Sequence, residues 1–316
     1  MRISSSKYRP FAFGLCVAVL LAGCKREPAE LPGAATEPAA AVRQLAQYLH
    51  DDDLVGYARA AVPPAEYARL ETAWRQGHSR WPLTELPLDE KLPALLAALS
   101  ASDAEKTLQQ AFKAQIAGQA AGVRQAAHSL GLFGVQYLRN QGDYSDEQRE
   151  HYVQLVTALS DWAMAAPLSD PKLAQETIAR LTAAARDTGL NSDEALQQAG
   201  MTASLERLGP FLRAFKQVLA GYGLSLDDTA AGLRVGLVAE QGERATARVR
   251  YPLAGKELDI SVALARRDRH WYVERTLQQV DALLQAADAA EAARAEEAAE
   301  TAPEPQQDDP GTPAKP

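Results

Sequence analysis

The sequence predicts an α+β protein: a large all-α region, then a small four-stranded antiparallel sheet, then a covering C-terminal helix. Three observations predict it. From Ala40 to Gly223 apolar residues recur three and four positions apart, near Gly232 the period falls to two, and beyond Leu277 it is helical again. A period of 3.6 gathers apolar side chains on one stripe of a helix, whereas a period of two gathers them on one face of a strand. The expected units are therefore a helical domain over residues 40–223 and a sheet with its final helix over residues 224–300.

In the helical region the stripes are Val42, Leu45, Tyr48 and Leu49; Tyr67, Leu70 and Trp74; Leu92, Leu95, Leu96 and Leu99; and Tyr152, Leu155, Val156 and Leu159. Start and stop signals divide it into roughly seven to nine helices. Ser102 with Glu105 and Ser145 with Gln148 have capping-box spacing, and Asp170 precedes a proline that suits a first helical turn. Gly142, Gly189 and Gly223 mark ends, because glycine closes a helix in the left-handed region without a Cβ clash. The small-xxx-small run Gly118 to Gly122 reads as close helix packing or as a break, and Gly131-Leu132-Phe133-Gly134 is expected to continue a buried helix. Trp74, Trp81 and the Pro-rich stretch Trp81 to Leu88 form the longest loop of the region. It is expected to pack across the helices, with a lip over a groove as the alternative.

Four strands follow: Leu233, Val235, Leu237 and Ala239 alternate with more polar neighbours, then Ala245, Ala247, Val249 and Tyr251, then Leu258, Ile260, Val262 and Leu264, then Trp271 and Val273. Gln241-Gly242-Glu243, Pro252 to Gly255 and Arg267 to His270 supply the turns. The last helix puts Val280, Leu283, Leu284 and Ala287 on one face. A meander ending in Arg269-His270-Trp271-Tyr272-Val273 resembles the closing strands of small periplasmic domains of the cystatin-like or nuclear-transport-factor-like type. That resemblance implies a curved sheet cradling a helix.

At the N-terminus Arg2, Lys7 and Arg9 precede an apolar run from Phe11 to Ala22, which ends in Leu21-Ala22-Gly23-Cys24. Twelve apolar residues fall short of the ~20 needed to span a bilayer, so the segment reads as a secretory signal over residues 1–23. The four-residue end resembles the lipobox of bacterial lipoprotein precursors. The resemblance implies a diacylglycerol on the Cys24 thiol, cleavage before Cys24 and a further acyl chain such as palmitate on the new amino group. Lys25, where an Asp would favour inner-membrane retention, implies a lipoprotein of the outer membrane facing the periplasm. Residues 24–39 then form a tether, and Thr301 to Pro316, with five prolines and no large apolar residue, an acidic disordered tail.

Charge and cysteine count exclude several classes. Removing Arg2, Lys7 and Arg9 from the 33 Lys and Arg leaves 30 against 41 Asp and Glu, a net charge of −11; nucleic acid, which demands a basic face, is not an expected partner. On that resemblance Cys16 would leave with the signal and Cys24 would be acylated, so no thiol is expected to remain for a disulfide, a zinc site or a nucleophile. No GxSxG elbow, P-loop or GxGxxG is present. No cofactor and no catalytic residue are assigned.

Two groups stand out as sites. Arg248 and Arg250 fall on the outward face of one strand, Glu257 and Asp259 on that of the next, within reach of one another as cross-strand pairs. They read as surface stabilisation or as a charged face for a partner. His50-Asp51-Asp52-Asp53 is the one dense run of metal-ligand types; it reads first as the end of one helix and the cap of the next, and second as a calcium site needing oxygens from elsewhere. The leading functional expectation is a membrane-tethered, non-enzymatic module that binds an envelope protein or assists envelope assembly. A carrier of an apolar or lipid-like ligand and an enzyme acting on envelope substrates stand second and third.

Overall fold

The structure is a computed structural model that describes residues 34–85, 91–140 and 144–300. The lipobox, Gly142, Leu86 to Leu88 of the Trp-bearing loop and the acidic tail lie outside the described residues. The fold is α+β. Among the described residues eleven α-helices precede the sheet: α1 (Pro38–His50), α2 (Leu54–Ala61), α3 (Pro64–Arg75), α4 (Leu92–Ser100), α5 (Ala104–Gln115), α6 (Ala120–Asn140), α7 (Asp146–Ala165), α8 (Pro171–Thr188), α9 (Asp193–Ala199), α10 (Met201–Gly221) and α11 (Leu226–Ala231). Strands β1 (Arg234–Gln241), β2 (Arg244–Leu253), β3 (Lys256–Arg267) and β4 (His270–Val273) follow, and α12 (Glu274–Glu300) closes the chain. Ten of the helices, α1 to α10, fall in the region expected to hold seven to nine, because α2 and α9, of 8 and 7 residues, are too short to carry a periodic stripe.

Local chemistry starts most helices where the sequence places them. Ser145 and Gln148 form the reciprocal capping box of α7, and the Asp170 carboxylate accepts from the backbone N–H groups of Lys172 and Leu173 at the start of α8. Gly189, at φ +63°, closes α8. The Ser102–Glu105 box does not form. Helix α5 begins at Ala104, so Asp103 occupies the cap position and Ser102 lies one residue outside it.

The main core gathers Leu70, Trp74, Trp81, Leu96, Leu190, Leu196, Met201 and Leu205, all essentially inaccessible, with Val280 and Leu284 of α12. At ~1.5–3 kcal/mol per fully buried large side chain, this cluster dominates folding. Trp74 belongs to the last turn of α3 rather than to the loop, and it donates to the Leu196 carbonyl at 2.8 Å; of the loop itself, Trp81 and Leu83 are buried in the core and Trp81 donates to the Glu85 carboxylate at 2.8 Å. Burial and the adjacent Glu85 carboxylate push the Tyr57 hydroxyl pKa well up, and that hydroxyl donates to Glu85 at 3.3 Å.

Gly118, at φ +74° with open space around it, breaks the chain between α5 and α6. Gly131 and Gly134 instead let α6 lie close on α7, where a Cβ would meet Ser160 and Val156. Helix α6 is not buried, in contrast to the expectation: Leu130, Leu132 and Phe133 are 60–69% exposed, because among the described residues only α7 packs extensively on this helix.

The sheet is antiparallel in the order β1-β2-β3-β4. Its inner face carries Ala245, Ala247, Val249, Tyr251 and Leu253 of β2 opposite Leu264, Val262, Ile260, Leu258 and Lys256 of β3. Helix α1 covers one end, joining Ala35 and Ala41 to Ala247, Leu264 and Trp271. Helix α7 and Leu224 cover the other, at Leu253 and Leu258. Helix α12 touches β3 and β4 with its first turns and then lies on α3. Residues 34–39, expected to belong to a tether, are instead part of the fold: Ala34 and Ala35 are buried, Trp271 donates its backbone N–H to the Ala35 carbonyl at 2.9 Å, and α1 begins at Pro38.

Candidate functional site

Three tight turns set the outer sheet face. Gly242 (φ +63°) turns β1 into β2, Ala254 and Gly255 (φ +51° and +76°) turn β2 into β3, and Asp268 and Arg269 (φ +49° and +69°) turn β3 into β4. The last two are two-residue reversals with both residues at positive φ, and the first has Gly242 alone there; all three suit the right-handed twist of paired strands and fix register. Register then decides which charges meet. Arg250 stands between Arg234 of β1 and Asp259 of β3, and Arg248 stands between Gly236 and Ser261.

Only part of this charge is matched, even with Glu147 of α7 adding a weaker charge beside Arg248. The Asp259 carboxylate accepts from Arg248 Nε at 2.7 Å and again from its terminal nitrogen, so Asp259 is paired on the diagonal rather than directly across. These hydrogen bonds and the carboxylate charge hold the exposed Arg248 above the ordinary arginine range. Glu257 pairs with Arg234 of β1. Arg250 has no ion-pair partner among the described residues. Three arginines thus share two carboxylates, and the surplus cation lies beside β1.

Among the described residues strand β1 is the edge of the sheet and pairs with β2 alone. Between Leu237 and Ala239 the register shifts by one residue, so a bulge at Val238 carries Ala239 to the outer face opposite Thr246. The expected inward alternation therefore ends at Leu237. Leu237 and Val238 are 49% and 61% exposed, and Gly236 meets nothing within 4 Å of where a Cβ would stand. Together with Arg234, Arg248 and Arg250 these residues line an open groove of about 420 Å³.

His50 to Asp53 form the α1–α2 turn and point apart. His50 Nδ1 lies 2.8 Å from the Asp51 carboxylate, and hydrogen bonds from Gln47 and then His50 hold the Asp51 carboxyl below its usual range. Asp53 caps α2, accepting from the Gly56 N–H at 2.7 Å. Asp52, at φ +61°, turns into the protein and meets Lys216 and Arg213 of α10. The turn is a helix end followed by a cap, and among the described residues no group of three or more His, Cys, Asp or Glu is placed to hold a metal. Beside it a groove of about 450 Å³ is lined by Asp52, Arg59, Glu206 and Arg213 among others.

The remaining histidines are scattered. His151 is buried between α7 and the sheet, its Nδ1 3.0 Å from the Asp259 carbonyl and its Nε2 3.3 Å from the Tyr251 hydroxyl. Burial pushes the Tyr251 hydroxyl pKa up to about 12. His78, His128 and His270 belong to other parts of the surface.

Sequence reading found Arg248, Arg250, Glu257 and Asp259 but missed Arg234, Gly236, Leu237 and Val238. The available signal was topological: the first strand of a meander is an edge, and an apolar pair on an edge is not covered by a neighbour. No protein-family model, curated protein or solved structure matches the chain.

Proposed function

We propose that this chain is the precursor of a bacterial lipoprotein, acylated at Cys24, whose mature form serves as a non-enzymatic interaction module at the envelope membrane, in the outer membrane facing the periplasm. The partner is an envelope protein, and it meets the outer sheet face at Arg248, Arg250, Glu257 and Asp259. The observation that carries this reading is the unmatched Arg250 beside the exposed edge pair Leu237 and Val238. Folded proteins usually blunt such edges, and an apolar patch rimmed by charge marks a binding surface. Three acyl chains on one residue would hold the module at the membrane almost permanently, which raises its local concentration at a membrane-bound partner.

Two measurements test it. Radioactive fatty acid should label the wild type and leave Cys24→Ser unlabelled; equal label on both removes the anchor. In a deletion strain with a scored phenotype, His50→Ala should restore function, whereas the doubly reversed Arg248→Glu/Arg250→Glu should not. Full restoration by the reversed face would remove it as the site of interaction.

A further inference from the structure

We infer that the partner engages β1 by strand addition, supplying an extended segment in which acidic residues alternate with apolar ones. The inference rests on the interaction reading above and names the chemistry of its occupant. Among the described residues the backbone groups on the free edge of β1 have no strand partner, and an added strand would satisfy them while its side chains continue the two faces of the sheet. The faces differ in what they ask for. On the outer face the first neighbours are Arg234 and Gly236, backed by Arg250 and Arg248 in the same cross-strand rows. On the inner face they are Val235 and Leu237, and Leu237 is half exposed because the sheet stops there. A segment with carboxylates at alternate positions reaches the surplus guanidinium, and its intervening apolar side chains cover Leu237.

Gly236 makes the approach open, since without a side chain it leaves a notch between the three arginines. The bulge at Val238 twists the strand away and limits the pairing segment to about four residues, Arg234 to Leu237. A second copy fits poorly. Two β1 strands paired about Gly236 would bring Arg234, Arg248 and Arg250 of both copies to one axis, where like charges oppose association. Nor does the chain's own acidic end suit the role, because the five prolines in Thr301 to Pro316 lack the N–H groups that a ladder needs.

The test uses residues 24–316 with Cys24→Ser, which retain the whole compact unit that starts at Pro32. Fluorescent octapeptides serve as probes: alternating Glu and Val, alternating Lys and Val, and the Glu/Val peptide N-methylated at alternate amides. The Glu/Val peptide should bind at least about tenfold tighter than the Lys/Val peptide and more weakly as salt rises. N-methylation should abolish binding, and saturating peptide should slow hydrogen exchange of β1 amides. Arg250→Glu, an exposed substitution, should reverse the preference between the two charged peptides. Equal affinities, or binding that survives N-methylation, would overturn strand addition, as would a wild-type dimer that Arg250→Glu strengthens. If none of the peptides binds while the reversed face still fails to complement in cells, strand addition falls and the interaction reading stands; if the reversed face complements, the reading itself has failed.

Discussion

The ammonium of Lys216 lies 2.7 Å from Oδ1 of Asp52, and both side chains are more than nine-tenths buried. This contact fastens the α1–α2 turn to α10. The same ammonium reaches Asp227 at 2.5 Å and donates to the carbonyls of Leu49 and His50 at 3.1 and 2.7 Å, while Arg213 meets Asp52 from the solvent side at 2.8 Å. Removing one member of a buried pair leaves the other charge uncompensated, at a cost of roughly 3 kcal/mol. Lys216→Met should therefore lower the unfolding free energy by about that amount in a urea titration. Arg213→Ala, on an exposed side chain, should cost no more than ~1 kcal/mol.

Alkaline pH should act through the same lysine. Burial alone would push the Lys216 pKa down, but hydrogen bonds and charge from Asp227 and Asp52 more than offset it, so the folded value lies above the ordinary 10.5. A folded pKa above the unfolded one gives stability that is complete below the unfolded value and is lost as pH rises through the folded value. Urea midpoints measured between about pH 9 and about pH 12 should therefore fall more steeply for the wild type than for Lys216→Met. Parallel curves would remove Lys216 from the alkaline response.

Gly209 explains how the turn gets so close to α10. A Cβ there would stand 2.6 Å from the Asp52 carbonyl oxygen, a backbone atom that cannot swing aside. Gly209→Ala should therefore destabilise by ~1–3 kcal/mol despite the better helix propensity of alanine. Gly236→Ala, which meets nothing, should lie within about ±0.5 kcal/mol of the wild type. Thermal unfolding of the two variants side by side checks both.

Within the sheet, alternation identifies the inner face but not the depth of burial along it. Leu258 and Leu264 are fully buried, whereas Ile260 and Val262 between them are half-buried, because α1 covers one end of the face and α7 the other. Leu264→Ala should cost ~2–5 kcal/mol and Ile260→Ala distinctly less. Equal losses in a denaturant titration would contradict this division of cover.

These cases show what was legible in the residues. Period, caps and turn glycines place the strands and most helix starts, since each depends on a few neighbours in sequence. What was not legible depends on partners far away in the chain. The stripe Leu130, Phe133 and Tyr137 has the spacing of a core face, yet α6 meets no helix on that side among the described residues. The bulge at Val238 inverts the alternation without any residue that announces it. Asp52 looks like one of three equivalent acids until α10, more than 150 residues later, supplies Lys216. The candidate face was half visible for the same reason: β2 and β3 declare their charges by alternation, while the exposure of β1 follows from its place at the edge.

In the proposed reading a partner in the envelope meets the protein at β1 and its arginine face. A photoreactive amino acid at Leu237 of the full-length protein, activated in intact cells, is compared with the same probe at Gln110, an exposed position on α5. Position 237 should give one discrete adduct that Arg250→Glu abolishes, and position 110 no such adduct. The same adduct from both positions, no adduct from position 237, or an adduct indifferent to Arg250→Glu would contradict this reading.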